Sequence, residues 1–163
     1  MSLDTKVIIE RVRQLEAAGH REVIITGVNL SQYISSYESR TINIADLLSV
    51  LINKTEHISF RISSLYPERV DDELCAILKN ERIRPHFHLS VQSGSDRILK
   101  LMKRPYQAHQ VAEAVGRLRA VIKDAFIACD IITGFPGETE EDFFETQKMC
   151  RDLNFTWIHA FPF

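Results

Sequence analysis

The sequence predicts an α/β protein, a partial (β/α) barrel with about five parallel strands and helices on its outside. Short apolar runs alternate with amphipathic helical patterns along the whole chain, and the links between them are short. Such a series folds into a parallel sheet covered by helices. A complete barrel needs more strands than the five that can be recognised, so we expect the barrel to be partial. A doubly wound open sheet is the alternative.

The predicted helices carry apolar residues at three- and four-residue spacing. The first stops before Gly19, and Asn43 and Thr139 are expected N-caps. Thr139 is followed three residues later by Asp142, the spacing of a capping box. The helices are predicted at residues 5–18, 44–51, 67–80, 96–102, 108–122 and 140–153.

The predicted strands are short runs rich in β-branched and aromatic residues. They lie at residues 22–27, 58–62, 86–91, 126–132 and 156–161. The polar segment 29–41 contains two tyrosines and several serines, and we expect it to be an exposed loop.

The bulk composition indicates an ordinary globular domain. A chain of 163 residues suits one domain, which we place at residues 4–163, with residues 1–3 as a vector leader. A formal net charge of −2 gives no general attraction to nucleic acid. No apolar run approaches the ~20 residues that cross a bilayer, and no signal-peptide pattern is present. We therefore expect no membrane association and a cytoplasmic protein.

Polar residues alternate with apolar ones along several strands, unlike the uniformly apolar strands of a sheet buried on both faces. The polar set is Ser59, Arg61, Ser63, His86, His88, Ser90, Gln92, Asp130 and His159. Since successive side chains point to opposite faces, the apolar set can pack on helices while the polar set faces the barrel interior. An unpaired buried polar group costs about 1–3 kcal/mol, so this set must pair with itself, with water or with a ligand.

Small, polar or glycine residues occupy the predicted carboxyl ends of the strands, where parallel sheets and barrels bind ligands. These ends lie at residues 27–29, 63–64, 92–94 and 133–136. In the last of them, Gly134 and Gly137 separate a strand from a capped helix. Glycines let a ligand approach the backbone closely, which suits a nucleotide-like molecule.

Two side-chain groups leave other chemistries open. His86 and His88 share one strand face and, with Asp130 as a further ligand, would suit a metal-dependent hydrolase, which is the alternative enzyme class. Lys100, Lys103 and Arg104 are either a solvated helix end or a clamp for a carboxylate or phosphate.

Four stretches resemble the radical S-adenosylmethionine methylthiotransferases, in the same order and at similar spacing. They are residues 26–30, 61–65, 85–96 and 130–139. Residues 61–64 and 159–163 resemble the branch that acts on threonylcarbamoyladenosine beside the tRNA anticodon. The branches that act on isopentenyladenosine or on a ribosomal-protein aspartate are less similar, and the ribosomal-protein methylthiotransferase stays an alternative.

The resemblance implies a transferase that adds a methylthio group to a modified adenosine. In that family a [4Fe–4S] cluster held by three cysteines reduces S-adenosylmethionine to a 5′-deoxyadenosyl radical, and sulfur is delivered at a second cluster. A reductant, a sulfur donor and tRNA are the implied partners.

The resemblance also implies a set of cofactor-binding residues. They are Gly27, Asn29, Ser63, Gln92, Ser93, Arg104, Asp130, Gly134, Phe135 and Pro136. The resemblance implies that Gly27 and Asn29 lie near the methionine moiety of the cofactor and that the backbone of residues 134–136 surrounds its adenine. Arg104, in an element similar to the family's Met-x-Arg-x-Tyr, meets the cofactor carboxylate.

The departures from the family concern the clusters and the flanking domains. The 163 residues contain no Cys-x3-Cys-x2-Cys loop, and Cys75, Cys129 and Cys150 are too scattered to replace it. The first barrel strand and the family's cluster and RNA-binding domains are also missing. We therefore expect a central barrel fragment that is inactive alone, binds S-adenosylmethionine weakly at best, and meets tRNA through domains outside it. A non-catalytic tRNA-binding module is a further alternative.

Overall fold

The computed structural model describes residues 2–27 and 30–163. The helices are α1 Thr5–Ala17, α2 Ile44–Lys54, α3 Asp72–Leu78, α4 Asp96–Leu101, α5 Ala108–Val121 and α6 Glu140–Leu153. The strands are β1 Glu22–Ile25, β2 Ser35–Tyr37, β3 Arg40–Ile42, β4 Ser59–Leu65, β5 Ile83–Gln92, β6 Phe126–Thr133 and β7 Trp157–Pro162. None of the described helices combines the length and the apolar character that crossing a bilayer requires.

One parallel sheet contains the five predicted strands in the order β1-β4-β5-β6-β7. This order follows the chain without a reversal, whereas a doubly wound sheet reverses at a switch point. Successive crossovers of the same hand place their helices on the same side of the sheet. The five-stranded parallel sheet is confirmed, and the doubly wound alternative is wrong.

The hydrophobic core lies between the helices and one face of this sheet, which we call the covered face. Its fully buried strand residues are Phe60, Ile62, Leu65, Phe87, Leu89, Val91, Ile127 and Cys129. The alternate residues form the open face and are half-buried or exposed: Glu22, Arg61, Ser63, His86, His88, Ser90, Asp130, Trp157, His159 and Phe161. The predicted division into an apolar and a polar set is confirmed for β4, β5 and β6, although Ser59 and Gln92 of the polar set are buried, whereas β7 is exposed at all six residues.

The two predicted N-caps, Asn43 and Thr139, also agree with the structure. The Asn43 side chain accepts a hydrogen bond from the Asp46 amide, and the Asp46 carboxylate accepts one from the Asn43 amide. Thr139 and Asp142 make the same reciprocal pair at the start of α6. These capping boxes fix the helix starts that follow β3 and β6.

The segment between β1 and α2 is not the exposed loop that we expected. A 3-10 turn at Leu30–Gln32 leads into a hairpin formed by β2 and β3, and Tyr33 and Ile42 are buried. The turn residues Glu38 and Ser39 have φ values of 48° and 64°. Such two-residue hairpin turns favour Asn and Gly, so the usual sequence signal is missing here.

The predicted helix at 67–80 is also wrong in its first half. A 3-10 turn at Pro67–Arg69 precedes α3, and the Asp71 carboxylate caps α3 by accepting a hydrogen bond from the Leu74 amide at 2.8 Å. A proline is favourable at the first position of a helix, which concealed the later cap.

Strand β5 begins three residues earlier than predicted, at Ile83. The added residues include Pro85, and a proline normally argues against a central strand. The structure accommodates Pro85 where the pairing of β4 with β5 is irregular, between the pairs Phe60–Ile83 and Ile62–Phe87. His86 and His88 therefore lie in the middle of the strand.

Candidate functional site

The carboxyl ends of neighbouring strands bring four of the ten predicted site residues to one edge of the sheet, which we call the rim. The rim contains Gly27, Ser63, Ser64, Gln92, Gly94, Thr133 and Gly134. Asn29, another predicted site residue, lies outside the described residues. Gly27 is exposed just beyond the end of β1.

The backbone of the rim is strained at two adjacent strands. Ser64 and Gln92 have φ values of 63° and 71°, a region that side chains disfavour. The strand pairing shifts register at the same places, between Ile62 and Leu65 and between Ser90 and Gln92. Such bulges re-aim side chains, and strain of this kind costs about 1–3 kcal/mol and concentrates at functional sites.

Asp130 faces its neighbours across the open face. His88 Nε2 lies 3.2 Å from Asp130 Oδ1, and the His88 and His159 ring centroids are 5.9 Å apart. His88 Nδ1 is buried and has no hydrogen-bond partner. One ring nitrogen of His88 therefore has no hydrogen-bond partner within the described residues.

The glycine turn after β6 is closed by a residue that the sequence reasoning missed. Gly134 has a φ of 74°, and its amide donates a hydrogen bond to Glu138 Oε2 at 2.5 Å. Glu138 Oε1 is buried without a partner. Phe135 packs edge-on against Phe163 with centroids 4.9 Å apart, and Pro136 is exposed. An acid four residues after a glycine is the signal that could have identified Glu138, since side-chain bonds to the backbone often close turns.

Gln92 and Ser93 differ in what they can offer a ligand. Gln92 ends β5 at the rim and is 8% exposed. Ser93 is fully buried, and its hydroxyl lies 3.2 Å from Thr146 Oγ1 on α6 and accepts a hydrogen bond from the Ser95 amide at 3.1 Å. The Ser93 side chain therefore faces α6, and only its backbone can reach a ligand at the rim.

Arg104 lies beside two tyrosines above the ends of β4 and β5. Its Nη1 donates a hydrogen bond to the Tyr66 hydroxyl at 3.3 Å, and the Tyr66 and Tyr106 ring centroids are 5.9 Å apart. The Tyr106 hydroxyl donates to the Ser90 carbonyl at 2.5 Å, and burial raises the Tyr106 pKa. Arg104 Nε is buried without a partner, and burial raises the pKa of nearby Glu68. Tyr66 and Glu68 were not predicted.

Ser63 contributes a half-buried hydroxyl to the rim. Its Oγ lies 3.4 Å from Ser64 Oγ, at the limit of a hydrogen bond. The group is thus largely free to exchange its partner for a ligand.

Ion pairs between neighbouring strands lie at the opposite end of the open face. Glu22 contacts Arg61 at 2.8 Å and Arg84 at 3.1 Å. Burial, followed by the positive charge of Arg61, lowers the pKa of His86, whose ring stacks on Phe126 with centroids 4.5 Å apart. Across residues 2–27 and 30–163, no three His, Cys, Asp or Glu side chains are placed to hold a metal ion. The geometry does not support the hydrolase alternative.

The unsatisfied polar atoms show that this site suits a polar ligand. In the described part of the chain, the buried side-chain atoms without partners are Arg61 Nε, Glu68 Oε2, His88 Nδ1, Arg104 Nε and Glu138 Oε1. Arg61 lies at the end of the open face opposite the rim, and the other four lie nearer the rim or in the links that follow the strands. Buried polar groups in proteins are normally paired, so these atoms need a partner.

The cysteines do not suit an iron–sulfur cluster. Cys75 lies in α3, Cys129 on the covered face of β6 and Cys150 in α6. Burial raises the pKa of all three thiols. A cluster needs thiolates that converge on it, and these thiols are protonated and scattered.

Comparison with known proteins agrees with the resemblance. The sequence model of the Radical SAM superfamily matches residues 1–150. The threonylcarbamoyladenosine tRNA methylthiotransferase MtaB of Treponema pallidum is 52% identical over 163 residues, which are 100% of this chain and 33% of that protein. The MtaB of Bacillus subtilis is 34% identical over 99% of this chain and 36% of that protein. The tRNA-2-methylthio-N(6)-dimethylallyladenosine synthase of Bacillus velezensis is 36% identical over 94% of this chain and 30% of that protein.

A solved structure supports the fold. The Elp3 of Methanocaldococcus infernus with an N-terminal deletion (1–46) matches with a TM-score of 0.56 and 18% identity, over 95% of this chain and 40% of that one. The chain spans about a third of the length of the curated relatives it matches. With the family match over most of the chain, the five-stranded partial barrel belongs to the Radical SAM superfamily.

Proposed function

We propose that this chain is the barrel segment of a tRNA methylthiotransferase, and that its rim holds the adenosyl part of S-adenosylmethionine. The observation that carries the proposal is a set of four buried, unpartnered polar atoms on the open face and in the links that follow its strands: Glu68 Oε2, His88 Nδ1, Arg104 Nε and Glu138 Oε1. The names of the MtaB relatives support threonylcarbamoyladenosine, next to the tRNA anticodon, as the nucleoside that is modified.

In this proposal, different rim residues bind different parts of the cofactor. The backbone of residues 134–136 surrounds the adenine, because the Gly134 turn leaves the main chain accessible. Asp130 accepts hydrogen bonds from the ribose hydroxyls, and Arg104 binds the carboxylate through its free guanidinium donors. Gln92, Ser63 and the Ser93 backbone line the ends of the two strained strands, and Gly27 and Asn29 approach the methionine moiety.

The cluster chemistry is separate from these residues. When bound, a [4Fe–4S] cluster supplies the electron that cleaves S-adenosylmethionine. Because none of the three thiols suits it, we propose that its ligands lie outside residues 1–163 and that this polypeptide alone is inactive. The sulfur donor, the reductant and the main tRNA contacts are then also met by the longer enzyme, which we place in the cytoplasm with its tRNA.

Calorimetric titration and iron analysis test the proposal on the isolated chain. We expect S-adenosylmethionine to bind weakly, with a Kd of about 1–10 mM or roughly −3 to −4 kcal/mol, and no stoichiometric iron after anaerobic reconstitution. Asp130→Asn should weaken this binding, whereas Asp124→Asn in an exposed turn should leave it unchanged. Stoichiometric iron–sulfur uptake would contradict the assignment of the cluster to other residues.

The nucleoside is tested in a full-length enzyme that carries this segment. Incubation with tRNA containing threonylcarbamoyladenosine or isopentenyladenosine, followed by mass spectrometry of the nucleosides, identifies the substrate. We expect a methylthio group only on threonylcarbamoyladenosine, and modification of isopentenyladenosine alone would reassign the branch.

A further inference from the structure

A buried polar cluster that the proposed chemistry does not use lies behind the rim, at the first turn of α6. Its centre is Asp142, which is 5% exposed. Asp142 Oδ1 accepts hydrogen bonds from Ser95 Oγ at 2.7 Å and Arg97 Nε at 3.2 Å, and Oδ2 accepts from the Thr139 amide at 2.8 Å. These donors, Arg97 first among them, lower the pKa of Asp142, so the carboxylate stays ionised.

Arg97 connects the two glycine-containing loops of the rim. It is the second residue of α4 and follows the loop at residues 92–96, which we count from the last residue of β5 to the first of α4. Its guanidinium contacts both oxygens of Asp142. The same guanidinium donates a hydrogen bond to the Gly137 carbonyl at 2.6 Å, in the loop at residues 134–138. One side chain therefore joins the link after β5 to the link after β6.

Thr146 fixes the first of these loops one turn further along α6. Its Oγ1 accepts a hydrogen bond from the Gly94 amide at 2.9 Å and donates one to the Asp142 carbonyl at 3.0 Å. A Cβ at Gly94 would lie 2.7 Å from Thr146 Cα, so the loop rests directly on the helix backbone. Both rim loops are thus anchored to the same helix.

We infer that Arg97 and Asp142 are positioning residues, which hold the loops at 92–96 and 134–138 at the spacing that the adenosyl ligand requires. The inference rests on the function proposed above. Neither residue needs to touch the ligand, because each acts through the backbone of a loop.

The strained backbone conformations at the rim need contacts such as these to hold them. Gln92 and Gly134 have φ values of 71° and 74°, and a disfavoured conformation such as that of Gln92 persists only where its surroundings hold it. A ligand that spans the ends of β5 and β6 loses affinity when it must order two loops on binding. A prior connection through α6 removes that cost.

Amide hydrogen exchange and S-adenosylmethionine titration of the same variants test the inference. In Arg97→Met, we expect exchange in residues 92–96 and 134–138 to rise about tenfold, since charge-assisted bonds are lost, with a similar loss of affinity. Arg117→Met is the matched control: Arg117 also pairs with an aspartate, Asp72, and its side chain is 44% exposed against 51% for Arg97. The control should change neither quantity.

A second pair of variants separates positioning from a general loss of structure. Thr146→Ser keeps the hydroxyl and should keep the loop exchange and the affinity of the wild type. Thr146→Val removes the acceptor for the Gly94 amide and should raise exchange in residues 92–96 while exchange in β4 stays slow.

The outcomes distinguish this inference from the proposed function. Unchanged loop exchange in Arg97→Met would overturn the inference, and so would raised exchange with unchanged affinity. If the wild type does not bind S-adenosylmethionine at all, the proposed function fails. The exchange of residues 92–96 and 134–138 in Arg97→Met still shows whether Arg97 and Asp142 hold the two loops together.

Discussion

The covered and open faces of the sheet use the same strands for different tasks. On β5, Phe87 is fully buried and is paired in register with Ile62 and Ile127, both of which are also fully buried. The next residue, His88, is half-buried on the open face and contacts Asp130. A shift of one residue therefore separates the hydrophobic core from the candidate site.

This difference indicates that stability and ligand recognition can be changed separately. Apolar residues on the covered face contribute burial, the main favourable term in folding. Polar residues on the open face include groups without a hydrogen-bond partner, such as His88 Nδ1. Of two substitutions at neighbouring positions of one strand, the one on the covered face should therefore lower mainly the free energy of unfolding. The one on the open face should lower mainly the affinity for the ligand.

The largest effect is expected for Phe87→Ala. It empties a fully buried site, so the free energy of unfolding should fall by about 3–5 kcal/mol, measured by denaturant titration. His88→Ala on the open face is the control and should cost less than about 1 kcal/mol, while it weakens S-adenosylmethionine binding. Equal losses of stability for the two variants would contradict the division between the faces.

A second prediction compares two glycines. Gly94→Ala places a methyl group against the backbone of Thr146 and should cost about 1–3 kcal/mol of unfolding free energy. Gly116 lies in α5 with no atom within 4 Å of an added Cβ, so Gly116→Ala should stabilise the chain by about 0.5–1 kcal/mol. Thermal unfolding of the two variants shows whether each substitution lowers or raises the stability. A stabilised Gly94→Ala would show that the loop does not rest on α6.

A smaller effect depends on pH and concerns Asp142. Its pKa is lowered in the folded chain, chiefly by Arg97. The stability that this ionised group contributes is therefore fully present above its ordinary pKa of about 3.9 and is lost as the pH falls below it. The difference in unfolding free energy between the wild type and Asp142→Asn should be constant between about pH 5 and pH 7 and shrink below about pH 4. A difference that does not change with pH would contradict an ionised Asp142.

The smallest effect is expected for exposed ion pairs away from the rim. Arg117→Met removes the contact with Asp72, a residue whose side chain is 95% exposed, and should change the unfolding free energy by less than about 0.5 kcal/mol. A large loss of unfolding free energy, measured in the same denaturant titrations, would show that exposed ion pairs on the helices contribute more to stability than their exposure predicts.

Much of the fold could be predicted because it depends on local patterns. The alternation along residues 86–92 identified both faces of β5, and Asn43 and Thr139 marked two helix starts. The hairpin of β2 and β3 could not be predicted, since its turn residues Glu38 and Ser39 lack the usual chemistry.

The candidate site was predictable only where it depends on strand ends. Asp130 and Gly134 follow from the end of a strand and a glycine, and the structure places both at the open face or its rim. The burial of Ser93 against Thr146 and the roles of Arg97 and Asp142 depend on contacts between residues more than 40 positions apart. No pattern within one segment reports such contacts.

The most direct test is an NMR titration of the isotope-labelled chain with S-adenosylmethionine, which detects weak binding residue by residue. The open-face site predicts that amide shifts change at Gly27, Ser63, Gln92, Asp130 and Gly134, while residues of the α5–α6 surface, such as Ala112 and Lys148, stay unchanged. Shift changes confined to that surface, or none at the rim at ligand concentrations of about 10 mM, would contradict it.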